Sequence, residues 1–233
     1  MKKIYYVFLF VLAINTINAH TCENETVNCP LDNAKVDFCV TMSMTTFGSL
    51  KDFQQQGAIG SYYEELINSC PKCHFSGYID DFKVKYTEEE KTKLKQFLQQ
   101  YDKIKTSDIT ECQIAGDLKD FLSKPNNEIA HCYLIGSYLA KDKPKFLDLR
   151  KELQVKTKTF LILSIEKNEY EDKSSIANIN YLIGELNRRT ANFDDAVKFY
   201  DLALNDPNRQ KWIDEVAKMQ KDLALKKDDN NTI

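Results

Sequence analysis

The sequence predicts a mainly α-helical protein with a small β-containing module near its N-terminus. Apolar residues recur every three to four positions through residues 87–227, which is the period of amphipathic helices. Before residue 87, an alternating stretch at residues 36–44 predicts a strand, and glycine-containing turns follow it. The composition is that of a globular protein, since 42% of residues are hydrophobic and 29% are charged.

The first nineteen residues have the features of a secretory signal peptide. Lys2 and Lys3 precede an uninterrupted apolar run at residues 4–14, and Ala19 suits a cleavage site. The run is about eleven residues long, which is shorter than the roughly twenty that a membrane-spanning helix needs. We therefore expect an exported protein, periplasmic or secreted. An uncleaved anchor is the alternative.

Charge and length limit the partners and the domain organisation. Loss of Lys2 and Lys3 on cleavage would change the formal net charge from −3 to −5, which does not favour binding to nucleic acid. No other segment is long and apolar enough to predict an integral membrane protein. We predict a front module at residues 20–86, a helical domain at residues 87–227 and a disordered tail at residues 228–233.

The most informative motif of the front module is Cys70-Pro71-Lys72-Cys73-His74. Two cysteines at this spacing can bind a metal, exchange a disulfide or, with the following histidine, attach haem. Cys29-Pro30-Leu31-Asp32 has the same first half, with Asp32 in place of the second cysteine. Two such turns brought together make a tetrahedral site, so we predict a zinc-ribbon-like module with a structural zinc ion.

The candidate metal ligands all lie in the front module. Asp32 is a candidate because of its place in the motif, and Cys39 because a thiolate is a softer ligand. Seven cysteines in an oxidising compartment leave at least one thiol free, metal-bound or intermolecular. The predicted ligands are Cys29, Cys70, Cys73, Asp32 and Cys39, with Cys22 and His74 as alternatives.

Three alternatives to a zinc site remain. A structural disulfide would join Cys70 to Cys73, or Cys22 to Cys29, as is common in exported proteins. A thioredoxin-like redox site would need a βαβ frame, which the pattern does not show. Haem attachment would use Cys70, Cys73 and His74, but a turn follows the motif where a helix is expected. An exported redox or c-type haem protein is therefore the alternative function.

The helical region is divided by start and stop signals. Thr87 and Glu90 form a capping box, which predicts a helix that begins at residue 88. Residues 108–111 repeat the start signal, Pro125 interrupts the chain, and Pro144 opens the next helix.

Residues 180–207 resemble a tetratricopeptide repeat. Gly184, Ala196, Tyr200 and Ala203 fall where that repeat has its small and aromatic packing residues. Small residues let two helices approach closely, and a single repeat needs neighbouring helices to complete its core. The sequence therefore predicts tetratricopeptide-like helical hairpins.

The same stretch carries the predicted partner-binding residues, Tyr181, Glu185, Arg188 and Arg189. Glu185 precedes Arg189 by four positions, the favourable order for an ion pair along a helix. The pair is either a surface pair of little energetic value or a clamp for an acidic partner. Because only three scattered histidines and no serine or phosphate-loop motif are present, the leading hypothesis is a non-enzymatic scaffold that binds a protein or peptide.

Taken together, these motifs resemble a bacterial family of domains of unknown function. That family combines Cys-Pro-x-Cys zinc-ribbon-like turns at its front with a tetratricopeptide-like back bearing a Tyr-Leu-Ile-Gly-Glu-Leu-x-Arg-Arg motif. Here Cys29-Pro30, Cys70-Pro71-Lys72-Cys73 and residues 181–189 occur in that order. The resemblance implies the fold and the metal site and leaves the activity open. This chain departs from the family at Asp32 and in its export signal.

Overall fold

The computed structural model describes residues 20–230, so the predicted signal peptide and the last three residues lie outside the described part. The chain is mainly helical with short antiparallel strand pairs near the N-terminus, which confirms the predicted fold class. The strands within this range are β1 (Thr21–Asn28), β2 (Lys35–Ser43), β3 (Thr45–Ser49), β4 (Gln55–Ala58), β5 (Asn68–Ser69) and β6 (Ser76–Gly77). The helices are α1 (Tyr62–Glu65), α2 (Glu88–Leu98), α3 (Asp108–Phe121), α4 (Asn126–Leu139), α5 (Leu147–Glu166), α6 (Ser174–Arg189), α7 (Phe193–Asn205) and α8 (Lys211–Leu225).

The strands form three separate antiparallel hairpins, β1–β2, β3–β4 and β5–β6. In the first hairpin the pairing ends at Asn28 opposite Lys35, and in the third it ends at Ser69 opposite Ser76. The loops that follow these pairs are residues 29–34 and 70–75, which contain the two cysteine motifs. The fold therefore presents both motifs in hairpin loops of the same length.

A hydrophobic core crosses the predicted boundary between residues 86 and 87. Phe82 packs edge-to-face against Phe38 of β2 and against Phe75, with ring centroids 5.3 Å and 5.0 Å apart. The same buried cluster includes Leu94 and Leu98 of α2 and Ile114 and Leu118 of α3. The front segment thus shares its core with the first long helices.

The predicted helix starts agree with the observed caps. The side-chain oxygen of Thr87 accepts from the N–H of Glu90, and the Glu90 carboxylate accepts from the N–H of Thr87 at 2.7 Å. Ser107 and Thr110 form the same arrangement at the start of α3. Of the helices in residues 20–230, none combines the length and the apolar composition needed to cross a bilayer.

Helices α6 and α7 pack closely because Gly184 has no side chain. A Cβ atom placed on Gly184 would lie 2.8 Å from the ring of Tyr200, which is shorter than real Cβ contacts. Ala196, Tyr200 and Ala203 of α7 are fully buried. The small and aromatic residues of the 180–207 stretch therefore lie at a helix–helix contact, as their spacing predicts.

We expect Gly184→Ala to lower the free energy of unfolding by about 1–3 kcal/mol, because the added methyl group must displace the Tyr200 ring. This loss exceeds the gain in helix propensity of at most about 1 kcal/mol. Urea denaturation measures the difference. Gly136→Ala is the comparison, because its Cβ would lie 3.0 Å from both Cys112 Cβ and Leu153 Cδ1, a less severe overlap than the 2.8 Å at Gly184, so a smaller loss is expected. Equal losses in the two variants would contradict the close approach at Gly184.

Candidate metal centre

Residues 29–34 and 70–75 form two loops with the same backbone hydrogen bonds, and we call them the first and the second knuckle. In each, the N–H of the first residue donates to the carbonyl of the sixth at 2.8 Å. The N–H of the fifth residue donates to the carbonyl of the first, at 2.9 Å in the first knuckle and 3.1 Å in the second. The fifth residues, Asn33 and His74, have φ values of 60° and 59°. The two loops are therefore equivalent position by position.

This equivalence places Asp32 where the second knuckle has Cys73, at the fourth position of the loop. An Asp32 carboxylate oxygen accepts from the N–H of Ala34 at 2.9 Å. The Cys73 sulfur likewise accepts a backbone hydrogen bond from Phe75, two residues further on. Asp32 thus takes the place of a second cysteine in geometry as well as in sequence.

The side chains of the two knuckles converge on one point. The sulfur atoms of Cys29, Cys70 and Cys73 and a carboxylate oxygen of Asp32 all lie within 4.8 Å of one another. The sulfurs of Cys29 and Cys73 are 3.5 Å apart, and the Cys70 sulfur lies 3.5 Å from both carboxylate oxygens of Asp32. Sulfurs bound to one tetrahedral zinc ion would lie about 3.8 Å apart, whereas a disulfide brings them to about 2.05 Å. The observed spacing suits a shared metal ion.

Among the three thiols of the knuckles, the pKa of Cys70 is lowered, whereas the pKa values of Cys29 and Cys73 are raised. Hydrogen bonds from Cys29 and Cys73 hold the pKa of Cys70 far below its usual value, and the backbone N–H groups of Lys72 and Cys73 add to this effect. The hydrogen bond to Cys70 raises the pKa of Cys29, and hydrogen bonds to Cys29 and Cys70 raise the pKa of Cys73. Of the three sulfurs, Cys70 is therefore the one at which loss of the proton is favoured. A divalent cation binds cysteine as thiolate, so it would replace the remaining protons.

The structure corrects the predictions for Cys39 and Cys22. They form a disulfide between β1 and β2, with their Cα atoms 5.3 Å apart, so neither is a metal ligand. The reason is the pairing of β1 with β2, in which Cys22 lies opposite Thr41 and Cys39 lies opposite Asn24, so that the two cysteines are diagonal neighbours across the hairpin. The alternative disulfides are also wrong, because Cys29, Cys70 and Cys73 are all free thiols.

His74, the other alternative ligand, lies outside the group of converging atoms. Its ring nitrogen Nδ1 is 3.5 Å from the hydroxyl oxygen of Thr106. Its backbone adopts the left-handed conformation, which asparagine and histidine tolerate better than most residues. His74 therefore suits a turn position that needs a positive φ. Asn33, at the same position of the first knuckle, is the feature of the sequence that indicates this.

The four predicted partner-binding residues are buried, so the proposed surface clamp is wrong. Tyr181, Glu185, Arg188 and Arg189 all have 0% of their surface exposed. The expected pair exists, with Arg189 Nε donating to the Glu185 carboxylate at 2.7 Å, but it lies inside the protein. Arg188 and the hydroxyl of Tyr200 donate to the same carboxylate at 2.8 Å and 2.7 Å.

The buried network extends to a residue that sequence reasoning missed. Asp52, in the loop between β3 and β4, accepts from Arg189 Nη1 at 2.8 Å and is 2% exposed. The Tyr138 hydroxyl donates to the Asp52 carbonyl, which fixes the loop against α4. No local pattern distinguishes Asp52, since its partner is 137 positions away.

The start of the predicted disordered tail is held by the same network. Arg188 donates to the carbonyl oxygen of Asp228 at 2.9 Å and to that of Asn230 at 3.1 Å. Residues 228–230 therefore contact α6 through two main-chain carbonyl groups. The polar composition of the segment did not indicate this contact, because the acceptors are main-chain carbonyls.

A family model described as "Uncharacterized protein conserved in bacteria (DUF2225)" matches residues 23–224, a range that contains both knuckles and the buried charged network. Neither the curated proteins nor the solved structures give a significant match to the chain.

Proposed function

Because the chain belongs to this family of uncharacterized proteins conserved in bacteria, we propose a function from the metal centre itself. Cys29, Asp32, Cys70 and Cys73 hold one structural zinc ion in an exported, non-enzymatic interaction or scaffold protein. The single observation that carries this proposal is the equivalence of the two knuckles, which aims four ligand atoms at one point.

The donor set favours zinc in a structural role. Three thiolates and one carboxylate suit a borderline-soft ion that prefers tetrahedral coordination. All four positions are filled by protein side chains, which leaves no open position for a substrate or an activated water. Cys29 and Cys70 are fully buried in the core shared with α2 and α3. The ion would therefore join the β1–β2 hairpin to the β5–β6 hairpin at the edge of this core.

The buried charged network supports a non-enzymatic role. Burial alone would raise the pKa of Glu185, but hydrogen bonds and charges from Arg188 and Arg189 lower it, so the carboxylate stays ionised and paired. A carboxylate that is buried and paired in this way holds the helices together and is not available to transfer protons to or from a substrate. The partner we propose is a protein or peptide.

Export is supported by the disulfide between Cys22 and Cys39, because disulfides persist in oxidising compartments. The haem alternative is not favoured, since it would use Cys70, whose sulfur is buried against Asp32 and Cys29. The redox alternative is not favoured either, because a third thiol completes the group around Cys70 and Cys73.

Metal and thiol analysis of the exported full chain tests the proposal. We expect a colourless protein with one zinc ion per chain by plasma mass spectrometry. Cys29, Cys70 and Cys73 should resist alkylation until a chelator removes zinc, as peptide mass spectrometry would show, whereas Cys22 and Cys39 should stay oxidised. A Soret band, a Cys70–Cys73 disulfide or protein free of zinc would overturn the proposal.

Cobalt substitution tests the position of Asp32. Because Asp32 is equivalent to Cys73, Asp32→Cys is expected to add a fourth thiolate and to raise the thiolate-to-cobalt absorption by about one third. Asp37→Cys is the control, since Asp37 lies on β2 outside the cluster and should leave the spectrum unchanged. An unchanged spectrum in Asp32→Cys would show that Asp32 is not a ligand.

A further inference from the structure

A second site is indicated by a cavity of about 390 Å³ between the β3–β4 loop, α6 and α8. The cavity contains none of the knuckle residues, so it is independent of the proposed zinc ion. Its volume lies within the roughly 300–1,000 Å³ that is typical of small-molecule sites.

Three aromatic rings form one wall of this cavity. The ring of Phe53 lies 5.5 Å from that of Tyr181 and 5.7 Å from that of Trp212, and the last two are 5.6 Å apart. Trp212 is 37% exposed, so the wall reaches the protein surface. Leu50 and Val216 complete the apolar lining. Such a surface favours a flat or branched apolar group.

The backbone of Phe53 is held in an unfavourable conformation at this wall. Its φ is 70°, in the left-handed region that costs a residue with a bulky side chain about 1 kcal/mol or more. The neighbouring Asp52 keeps the loop in place through its ion pair with buried Arg189. The ring is therefore fixed in its position beside the cavity before any ligand arrives.

Two polar groups of the cavity can donate hydrogen bonds to a ligand. Tyr181 is fully buried, and its hydroxyl has no hydrogen-bond partner in the described chain. Burial raises its pKa, so the hydroxyl keeps its proton and can donate. Lys51 also lines the cavity, and within residues 20–230 its ammonium is not among the groups that form ion pairs. A buried donor without an acceptor is costly, so the Tyr181 hydroxyl calls for an acceptor from outside, and the half-buried Lys51 supplies a positive charge beside it.

We propose that this cavity binds a carboxylate group attached to a small apolar body. The carboxylate accepts from the Tyr181 hydroxyl and pairs with Lys51, while the apolar body packs against Phe53 and Trp212. A free aryl or alkyl acid and the C-terminal carboxylate of a peptide share this chemistry. The site goes beyond the proposed scaffold role and does not depend on the zinc ion.

The experiment uses Trp212 as the reporter, because it is the only tryptophan in the sequence and lies in the cavity wall. The full exported chain is titrated with 3-phenylpropionate and with the neutral 3-phenylpropanamide. In parallel, N-acetyl-glycyl-phenylalanine is compared with its C-terminal amide. We expect a saturable fluorescence change with both acids and at least about tenfold weaker binding of the amides. The tighter of the two acids identifies the source of the carboxylate. Equal binding of acids and amides, or no saturable change, would overturn the proposal.

Two variants separate binding from folding. Tyr181→Phe removes only the hydroxyl and should weaken acid binding about fivefold or more, without lowering the melting temperature, because no internal hydrogen bond is lost. Lys51→Met should weaken acid binding similarly, whereas Lys103→Met, at an exposed lysine outside the cavity, should not. Unchanged binding in Tyr181→Phe and Lys51→Met would sink the proposal. Zinc measured in the same samples keeps this result separate from the fate of the metal site.

Discussion

Cys70→Ser is expected to abolish stoichiometric zinc binding and to lower the melting temperature by about 10 °C or more. Cys70 is fully buried and contacts both other thiols and Asp32, so its loss removes the central ligand. Zinc binding at structural sites contributes about 10–16 kcal/mol in small peptides. Even a fraction of that energy, about 4 kcal/mol, corresponds to roughly 10 °C in a chain of this size. Calorimetry with metal analysis on the same samples measures both effects.

Cys112→Ala is the matched control for this variant. Cys112 is also a buried free thiol, but it lies on α3 outside the metal group. We expect it to retain one zinc ion per chain and to lose only about 1 kcal/mol from the small cavity. If Cys70→Ser kept its zinc and melted with Cys112→Ala, the metal centre would not hold the fold together.

Asp52→Ala is expected to reduce the free energy of unfolding by about 3–5 kcal/mol, because it removes a carboxylate that pairs with the buried Arg189. The surroundings are already rich in cations. Burial and the charge of Arg189 lower the pKa of Arg150 to about 10, and Asp52 opposes that shift. The same variant frees the loop that carries Phe53. Urea denaturation measures the loss.

Asp142→Ala is the comparison for Asp52→Ala. Asp142 is an exposed aspartate whose charge also acts on Arg150, but it forms none of the ion pairs found in residues 20–230. Its removal should change the free energy of unfolding by less than about 0.5 kcal/mol. Similar losses in the two variants would mean that the Asp52–Arg189 pair is not a major contributor.

Sequence reasoning predicted the features that local chemistry determines. Thr87 and Glu90 are three residues apart, so their capping box is visible without knowledge of the fold. The Cys-Pro turns likewise indicated Cys29, Asp32, Cys70 and Cys73, since each knuckle is closed by its own backbone hydrogen bonds. Small residues at helical spacing indicated the contact between α6 and α7.

The features that were missed depend on contacts between distant segments. A Glu–Arg pair at helical spacing usually lies on the surface. Here the pair is buried together with Asp52, which accepts from Arg189, and Tyr200, which donates to Glu185, and both come from other segments of the chain. Cys39 was predicted as a ligand because a thiolate is soft. The pairing of β1 with β2 instead brings Cys39 within disulfide distance of Cys22. The shared core between Phe82 and α2 and α3 likewise requires the folded arrangement.

The hydrogen bonds from Arg188 restrict the length of the tail more than its sequence. Its guanidinium binds the carbonyl oxygens of Asp228 and Asn230, which every amino acid provides. Replacement of these side chains should therefore be tolerated, whereas deletion of the two positions would leave fully buried donors of Arg188 without acceptors. At this place the protein constrains the number of residues and not their identity.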